Sequence, residues 1–450
     1  MEWSSVTWRG LSEDRRLDAE HYRPEYLCQA EALSRFANKP LQRVADVTDG
    51  NHISIAESFC AAGIRYLRGQ DLSDFFISDA EPVFIPVDIY EKLSRSHMLA
   101  GDVLLGIVGT IGTVSLVTDR FERLTGNCKI AIVRPRELEG EYLAAFLACG
   151  VGQREIRRRI RGTVQTGLIL PDLKDIPIPI LPVGIRGRIC RGVREAEACR
   201  RAARESYVAA EAKLSEALGL ERVDLTARLS YERVYKDTEK AGRLDAEYYQ
   251  PAKWEILDAL ARMSGDMVVD HYRPVRDLFE PGKAPPGETV RNYDLSDAIV
   301  SFLDESVEPM VAREVGSTKK RLEAGDFVVS RLRSYLQEMA LVLPSGSEPL
   351  VGSSEFIVLR RRAGGIRAEA LLVYLRSAYV QTILKWCQDG SNHPRFDERE
   401  LLGLRIPEAV QRIQDEVAEL VSRTIEWQRE ARRLLDEAKA TVEAAILEDA

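Results

Sequence analysis

Few residues in this sequence have both the type and the spacing that chemistry requires. The segment Gly106-Ile107-Val108-Gly109-Thr110-Ile111-Gly112 is rich in glycine but lacks the Lys-Ser/Thr of a P-loop and the spacing of a dinucleotide-binding motif. Pro171-Asp172-Leu173-Lys174 is similar to a nuclease metal motif, but a Pro-Asp helix start explains it better. The five histidines form no spaced pair, and the tetrapeptide of amino-methyltransferases (Asp/Asn-Pro-Pro-Tyr/Phe) is missing. We therefore predict no catalytic, metal or cofactor site in this chain.

Composition excludes further classes of protein. The 450 residues include 63 Lys+Arg and 71 Asp+Glu, a net charge of −8, so the chain is not basic overall and any nucleic-acid surface must be local. No stretch approaches the roughly 18 uncharged apolar residues of a membrane span, and the start has no signal-peptide core. The seven cysteines are scattered, as in a reduced cytosolic protein. We expect a cytoplasmic protein with no membrane partner.

The sequence contains an internal duplication. The segment from Arg16 to Pro24 returns at Arg243 to Pro251, 227 residues later, with seven of nine residues identical. Three further blocks return in the same order at offsets from 224 to 228 residues: Gly101-Asp102 at Gly325-Asp326, Ala131–Arg134 at Ile357–Arg360, and Ile178-Pro179 at Ile406-Pro407. A period this long predicts two homologous domains rather than a solenoid.

Each half ends in a proline-free stretch rich in Ala, Glu, Arg and Leu, starting at Val183 and at Glu408. Apolar residues in both stretches alternate at spacings of three and four, which is typical of a coiled coil. Short apolar runs and helical segments share each half, so we predict α+β domains. The predicted boundaries are domain 1 at 1–182, spacer helix 1 and linker at 183–230, domain 2 at 231–407 and spacer helix 2 at 408–450. The helices are expected to pair antiparallel and to hold the domains apart; two unrelated surface helices are the alternative.

Five blocks of the first half follow one another in a fixed order: Asp49-Gly50-Asn51-His52, Gly63–Leu72, Gly101–Leu105 with Gly109–Gly112, Glu141-Tyr142-Leu143, and Gly162–Leu168 with the exit Ile176–Pro179. In this order they resemble motifs of the DNA-specificity subunit of type I restriction–modification systems. The second half departs from the pattern, because Asn292–Asp297 replaces the Arg-x-x-Asp strand only loosely and no Asp-Gly-x-His precedes it.

The resemblance implies two target-recognition domains that read a bipartite, asymmetric site in double-stranded DNA. It implies that the helical spacer binds two methyltransferase subunits, which methylate adenine with S-adenosylmethionine, and that motor/nuclease subunits using ATP and Mg join them. The chain itself would be non-catalytic and bind no cofactor.

Candidate DNA-binding residues lie in a predicted turn, beside a predicted strand and in basic clusters. Arginine and lysine can contact phosphates, and arginine can also pair with guanine. A solvated charged face, or a simple tight turn at 50–52, is the competing interpretation. Arg331 and Arg333 are the favoured base readers of the second domain, and Gly101-Asp102 is expected to be structural. The candidates are Asn51, His52, Arg65, Arg68, Arg154, Arg157, Arg158, Lys319, Lys320, Arg331 and Arg333.

Three other functions stay open on the sequence. The chain could be the recognition module of another DNA-modification or phage-defence complex with a different catalytic partner. It could be an enzyme whose site has diverged beyond motif recognition. It could also be a coiled-coil scaffold without a nucleic-acid role, although the recognition-domain blocks argue against this.

Overall fold

A computed structural model describes residues 5–7, 16–73, 75–79, 81–162, 166–298, 301–344 and 346–447. The chain forms two compact units: unit 1 is Met1–Arg200 with Arg429–Ala450, and unit 2 is Arg201–Gln428. Each unit therefore contains part of the long helix that ends the first half and part of the long helix that ends the second half. The predicted domain boundaries, in contrast, lie before these helices. The reason is burial: each unit covers its core with the adjoining helical segments.

Unit 1 is a mixed α+β domain. One antiparallel sheet has the strand order β2-β9-β6-β7, and a mixed sheet has the order β4-β3-β8-β5, in which β3 and β8 run parallel. The helices are α1 (Pro24–Ser34), α2 (Leu41–Val44), α3 (Val87–Lys92), α4 (Gly140–Ala148), α5 (Gly150–Arg157), α6 (Leu170–Lys174) and the start of α7 (Val183–Leu218). The strands are β1 (Asn38–Pro40), β2 (Ala45–Asp49), β3 (Ile64–Leu67), β4 (Val83–Ile85), β5 (His97–Met98), β6 (Val103–Gly106), β7 (Val114–Leu116), β8 (Leu124–Gly126), β9 (Ile130–Pro135) and β10 (Pro177–Pro179).

Unit 2 repeats this architecture, with an antiparallel sheet in the order β12-β20-β17-β18 and a mixed sheet in the order β13-β16-β19-β14-β15. Its helices are α8 (Tyr235–Ala241), α9 (Pro251–Ala261), α10 (Val268–His271), α11 (Ala368–Arg376), α12 (Ala378–Cys387), α13 (Glu398–Leu402), α14 (Glu408–Arg412) and α15 (Gln414–Leu447), the last of which continues into unit 1. Its strands are β11 (Gly265–Met267), β12 (Tyr272–Pro274), β13 (Leu278–Phe279), β14 (Thr289–Tyr293), β15 (Met310–Val311), β16 (Lys319–Leu322), β17 (Phe327–Ser330), β18 (Met339–Leu341), β19 (Leu350–Gly352), β20 (Phe356–Arg361) and β21 (Arg405–Pro407).

The two units correspond in strand order, except that the mixed sheet of unit 2 has five strands and that of unit 1 has four. Strands β2, β9, β6 and β7 match β12, β20, β17 and β18 in sheet order, and the parallel pair β3–β8 matches the parallel pair β14–β19. In both units a short antiparallel pair, β1–β10 or β11–β21, brings the entry and the exit of the domain together. The predicted α+β class and the internal duplication are confirmed.

The repeated segment at the start of each half has the same structural role in both units. Arg243 donates from Nε and Nη2 to Asp245, and its other bonds reach the carbonyl oxygens of Cys387 and Gln388 at the end of α12. Arg16 makes the matching bonds to Asp18 and to two carbonyls just past α5. A cation at the C-terminal end of a helix is stabilising, so this segment serves folding.

The long helices α7 and α15 pair antiparallel within each unit, as predicted. In unit 1, Gly192 approaches Leu434 and Ala438 closely enough that a Cβ would lie 3.9 Å from the Ala438 Cβ. In unit 2, the Ser206 hydroxyl donates to the Leu420 carbonyl. Small residues therefore let the helices approach closely.

Two details of the second helical stretch differ from the sequence expectation. Helix α14 ends at Arg412 and α15 begins at Gln414, so the stretch from Glu408 is not one continuous helix. Trp427, which the spacing of three and four places with the other apolar residues of this stretch, is 43% exposed, while Val421 and Ile425 are buried. The buried stripe is thus wider than a strict heptad pattern. Within the described residues, none of the helices is long and apolar enough to cross a membrane.

Candidate nucleic-acid interface

Arg65 and Arg68, the DNA-binding candidates beside the predicted strand of unit 1, both bind Asp71. Arg65 on β3 is 6% exposed, forms an ion pair with buried Asp71 at 3.4 Å and donates to the carbonyl of Ser78. Burial lowers the pKa of Arg65. Arg68 grips the same Asp71 carboxylate at 2.9 and 3.0 Å and donates to the carbonyl of Glu81. The prediction that Arg65 contacts DNA does not fit this geometry, because its guanidinium lies inside the protein.

The basic run at the end of α5 is mostly engaged within unit 1. Arg154 donates from Nε to Gln29 on α1, and Arg158 forms an ion pair with buried Glu155 at 3.5 Å. Desolvation lowers the pKa of Arg158, whose side chain is 11% exposed. Arg157 is exposed to solvent. The sequence predicts that these arginines contact DNA. The buried carboxylate of Glu155 requires a cation to neutralise it, however, and this requirement explains the position of Arg158.

The predicted turn at 50–52 combines a structural and an exposed residue. Gly50 allows a close approach, since a Cβ there would lie 2.2 Å from the Asn127 carbonyl oxygen. Asn51 is buried and closes the turn, donating from Nδ2 to the Ile53 carbonyl and accepting from the Ile53 amide. His52 is exposed and lies 2.7 Å from Asp49, the last residue of β2. The tight-turn interpretation therefore holds for Asn51, and His52 is available to a partner.

Asp49 holds a second exposed cation. Arg95, which precedes β5, donates from Nη2 to the other Asp49 carboxylate oxygen at 3.1 Å. The side chain of Arg95 is 74% exposed, whereas that of Asp49 is 11% exposed. One largely buried carboxylate thus orients His52 and Arg95 at the end of β2.

In unit 2, the candidates on and beside β16 and β17 fall into two groups. Lys319 is buried and forms an ion pair with Asp294 at 3.1 Å, so it is not a surface contact. Lys320 and Arg331 both line an open cleft of about 330 Å³. Arg276 and Arg399 line the same cleft, together with the acidic residues Asp397 and Glu398. The structure therefore brings four basic side chains to one surface depression.

A shared carboxylate fixes the orientation of Arg331. Glu355 accepts from Arg331 Nε at 2.9 Å and from Arg395 Nη2 at 2.8 Å. The two guanidinium groups, Arg395 first, lower the pKa of Glu355 to about 2. Arg333 lies two residues further along and donates to the Asn392 carbonyl at 3.2 Å. Arg333 thus contacts the hairpin 389–395 directly, whereas Arg331 is linked to Arg395 of that hairpin through Glu355.

The polar groups occupy the same place in the two units. Asp49 lies opposite Ala131, the second residue of β9. Extending the β12–β20 register by two residues puts Arg276 opposite Ile357, the second residue of β20. Arg276 therefore stands where unit 1 has Asp49, and it forms an ion pair with Glu398 at 2.5 Å. The corresponding edge of the antiparallel sheet therefore carries Asp49, His52 and Arg95 in unit 1. In unit 2 it carries the cleft with its four basic side chains.

Several residues of this edge were missed from the sequence: Arg95, Arg276, Glu355, Arg395 and Arg399. None of them lies in a run of basic residues, so no basic cluster in the sequence marked it. Arg276 could have been found from the repeat, because it is displaced by 227 residues from Asp49 of the Asp-Gly-Asn-His motif.

Comparison with solved structures gives three similar chains, each covering nearly the whole of this one. The S subunit of a type I restriction–modification system from M. genitalium has 11% identity and a TM-score of 0.44, covering 91% of this chain and 96% of its own. The HsdS subunit from Thermoanaerobacter tengcongensis has 14% identity and a TM-score of 0.30, with 92% and 97% covered. A chain from a structure on assembly and conformational transition of the type I R-M system has 15% identity and a TM-score of 0.30, with 91% and 97% covered. No protein-family model and no curated protein matches the sequence.

Proposed function

We propose that this chain is the DNA-specificity subunit of a type I restriction–modification complex, with each unit reading one half of a bipartite, asymmetric site in double-stranded DNA. The observation that carries this proposal is the duplicated edge, where one framework occurs twice with different side chains. A single repeated function on a symmetric site would favour identical side chains at both edges. Different side chains on one framework are what the reading of two different half-sites requires.

The chemistry of the edges suits nucleic acid. In unit 2, Arg276, Lys320, Arg331 and Arg399 can neutralise phosphates, and a guanidinium held by Glu355 keeps donors in a fixed direction. In unit 1, Asp49 presents His52 and Arg95. The net charge of −8 is compatible with this role because the cations are gathered locally and partner subunits would share the phosphate contacts.

The partners follow from the same proposal. The antiparallel pair α7–α15 would bind two adenine-methyltransferase subunits, and motor/nuclease subunits would complete the complex in the cytoplasm. S-adenosylmethionine, ATP and Mg would be bound by those partners, and this chain would carry no chemistry of its own. The alternative is that the chain is the recognition module of another DNA-modification or phage-defence complex. Such a module would use the same edge to bind DNA, and the identity of its catalytic partner would distinguish the two functions.

The test is methylation-site sequencing of DNA from cells that express the chain with its genomically adjacent methyltransferase. We expect adenine modified on both strands of a two-part motif, and loss of this mark when the chain is deleted. An Arg276→Ala/Lys320→Ala double variant should weaken the mark, whereas Arg228→Ala, an exposed arginine outside both the cleft and the α7–α15 pair, should leave it unchanged. A mark that persists without the chain would refute the proposal.

A further inference from the structure

The loop that follows the first central strand of the antiparallel sheet is braced alike in both units. In unit 1 the loop 107–112 between β6 and β7 pairs through Val108 with Gly167, which also pairs with Arg161. In unit 2 the loop 331–337 between β17 and β18 pairs through Leu332 with Arg395, which also pairs with Asp389. The backbone framework of the two loops is therefore conserved within the molecule.

The two loops share left-handed backbone positions but fill them with different residues. In unit 1 Gly109, the third residue after β6, has φ of 79°, and Gly112, the second residue before β7, has φ of 90°. In unit 2 the same positions are Arg333, with φ of 48°, and Gln337, with φ of 53°. Glycine adopts this region freely, whereas an L side chain there is strained. Unit 2 thus retains two long polar side chains where glycine would be favoured.

Contacts within the protein explain Arg333 but not Gln337. The Arg333 guanidinium donates to the Asn392 carbonyl and pins the loop to its hairpin. The backbone of Gln337 is fully used, with its amide bonded to Ser334 and its carbonyl to Met339. Its side chain is exposed and makes no side-chain hydrogen bond in the described part of the chain. The Gln337 carbonyl also accepts from Arg376 Nη2, and glycine would make the same backbone bonds, so these contacts give no reason for a glutamine side chain at this position.

We propose that Gln337 is a specificity-determining residue that reads an adenine in the half-site bound by unit 2. This inference rests on the proposed DNA-reading function. A glutamine amide matches the major-groove edge of adenine, since its Nε2 donates to N7 while its Oε1 accepts from N6. Arg331, at the other end of the same loop, lines the basic cleft and would contact phosphate while Gln337 contacts the base. The Gln337 side chain is exposed at the β18 end of the braced loop.

The test selects bound sequences from random double-stranded DNA with the full chain and compares variants. Wild type should yield a two-part motif. Gln337→Gly should lose the preference for adenine at one position of one half-site and keep every other position. Gln337→Glu retains the size and backbone strain but only accepts hydrogen bonds, so it should lose adenine and favour cytosine at that position. Glu81→Gly is the control, because it replaces another non-glycine residue with a left-handed backbone, in unit 1. It should leave the base preference at the adenine position unchanged.

Stability distinguishes a base reader from a structural residue. We expect the Tm of Gln337→Gly to equal or exceed that of wild type, because glycine suits the backbone. A Tm lower by several degrees, or loss of the whole motif, would show a structural role and overturn the inference. An unchanged motif would overturn it while leaving the proposed function intact. A wild-type chain that selects no motif would overturn both.

Discussion

Asp102 and Arg134 form a two-point ion pair at the turn that leads into β6, with Arg134 Nε 2.9 Å from Oδ1 and Nη2 2.8 Å from Oδ2. Asp102 also accepts from the backbone amide of Leu99 and is buried. In unit 2, Asp326 and Arg360 make the same pair at 2.7 and 2.9 Å. The Gly-Asp motif is therefore a structural device, as the sequence predicted.

Asp102→Asn should destabilise unit 1, because a buried carboxylate that anchors both a guanidinium and a backbone turn is lost. Since the Arg134 side chain is 42% exposed and partly solvated, we expect a decrease of only about 2 kcal/mol in the free energy of unfolding. Urea denaturation measures it. Asp46→Asn, whose partner Arg136 is exposed, is the control and should cost less than about 0.5 kcal/mol. Equal effects would contradict the assignment.

Arg65 and Arg95 should respond to alanine substitution in opposite ways. Arg65→Ala removes a buried partner of Asp71 and should lower the free energy of unfolding by about 2–3 kcal/mol, with DNA affinity of the folded protein unchanged. Arg95→Ala removes an exposed side chain and should weaken DNA binding without changing stability. Thermal unfolding and fluorescence anisotropy separate the two. Weaker DNA binding by folded Arg65→Ala would restore the sequence prediction.

The cleft cations of unit 2 should set part of the salt dependence of DNA binding. Each lost phosphate contact should reduce the slope of log K against log salt by about 0.9. Lys320→Ala and Arg399→Ala are the variants, and binding titrations over a series of salt concentrations give the slope. Arg423→Ala on α15 should leave the slope at the wild-type value. Parallel slopes for all the proteins would exclude the cleft as a phosphate site.

Glu355 should make unit 2 acid-sensitive. Its pKa is lowered from 4.5 to about 2 by Arg395 and Arg331. A carboxylate with a lowered pKa contributes stability above the unfolded value, and this contribution is lost as the pH falls toward 2. Wild type should therefore be more stable than Glu355→Gln near neutral pH, and the difference should shrink below pH 4.5. Unfolding free energies measured across this range test the prediction, and a difference independent of pH would reject it.

The framework was predictable from the sequence because it is periodic. Repeated blocks such as Gly101-Asp102 and Gly325-Asp326 mark the same turn twice, and the three-four spacing marked α7 and α15. The site was less predictable, because exposure depends on which face of a strand a side chain takes and on distant carboxylates. Arg65 and Lys319 resemble surface cations in the sequence, but Asp71 and Asp294 draw them into the fold. Conversely, Arg395 and Arg331 are far apart in the sequence, and their guanidinium groups come together because both bind Glu355.

The hairpin that braces each loop has a consequence for how a protein of this kind can change over generations. The bridge between Leu332 and Arg395 is made by backbone atoms, so it does not depend on which side chains the segment 331–337 carries. The side chains of this segment can therefore be replaced while the surrounding strands and the backbone bridge are retained. Exchange of a few codons between related genes would alter the chemistry of this edge while the strand framework stays the same. Diversification of such a lineage can proceed by small replacements, without inheritance of an entire new domain.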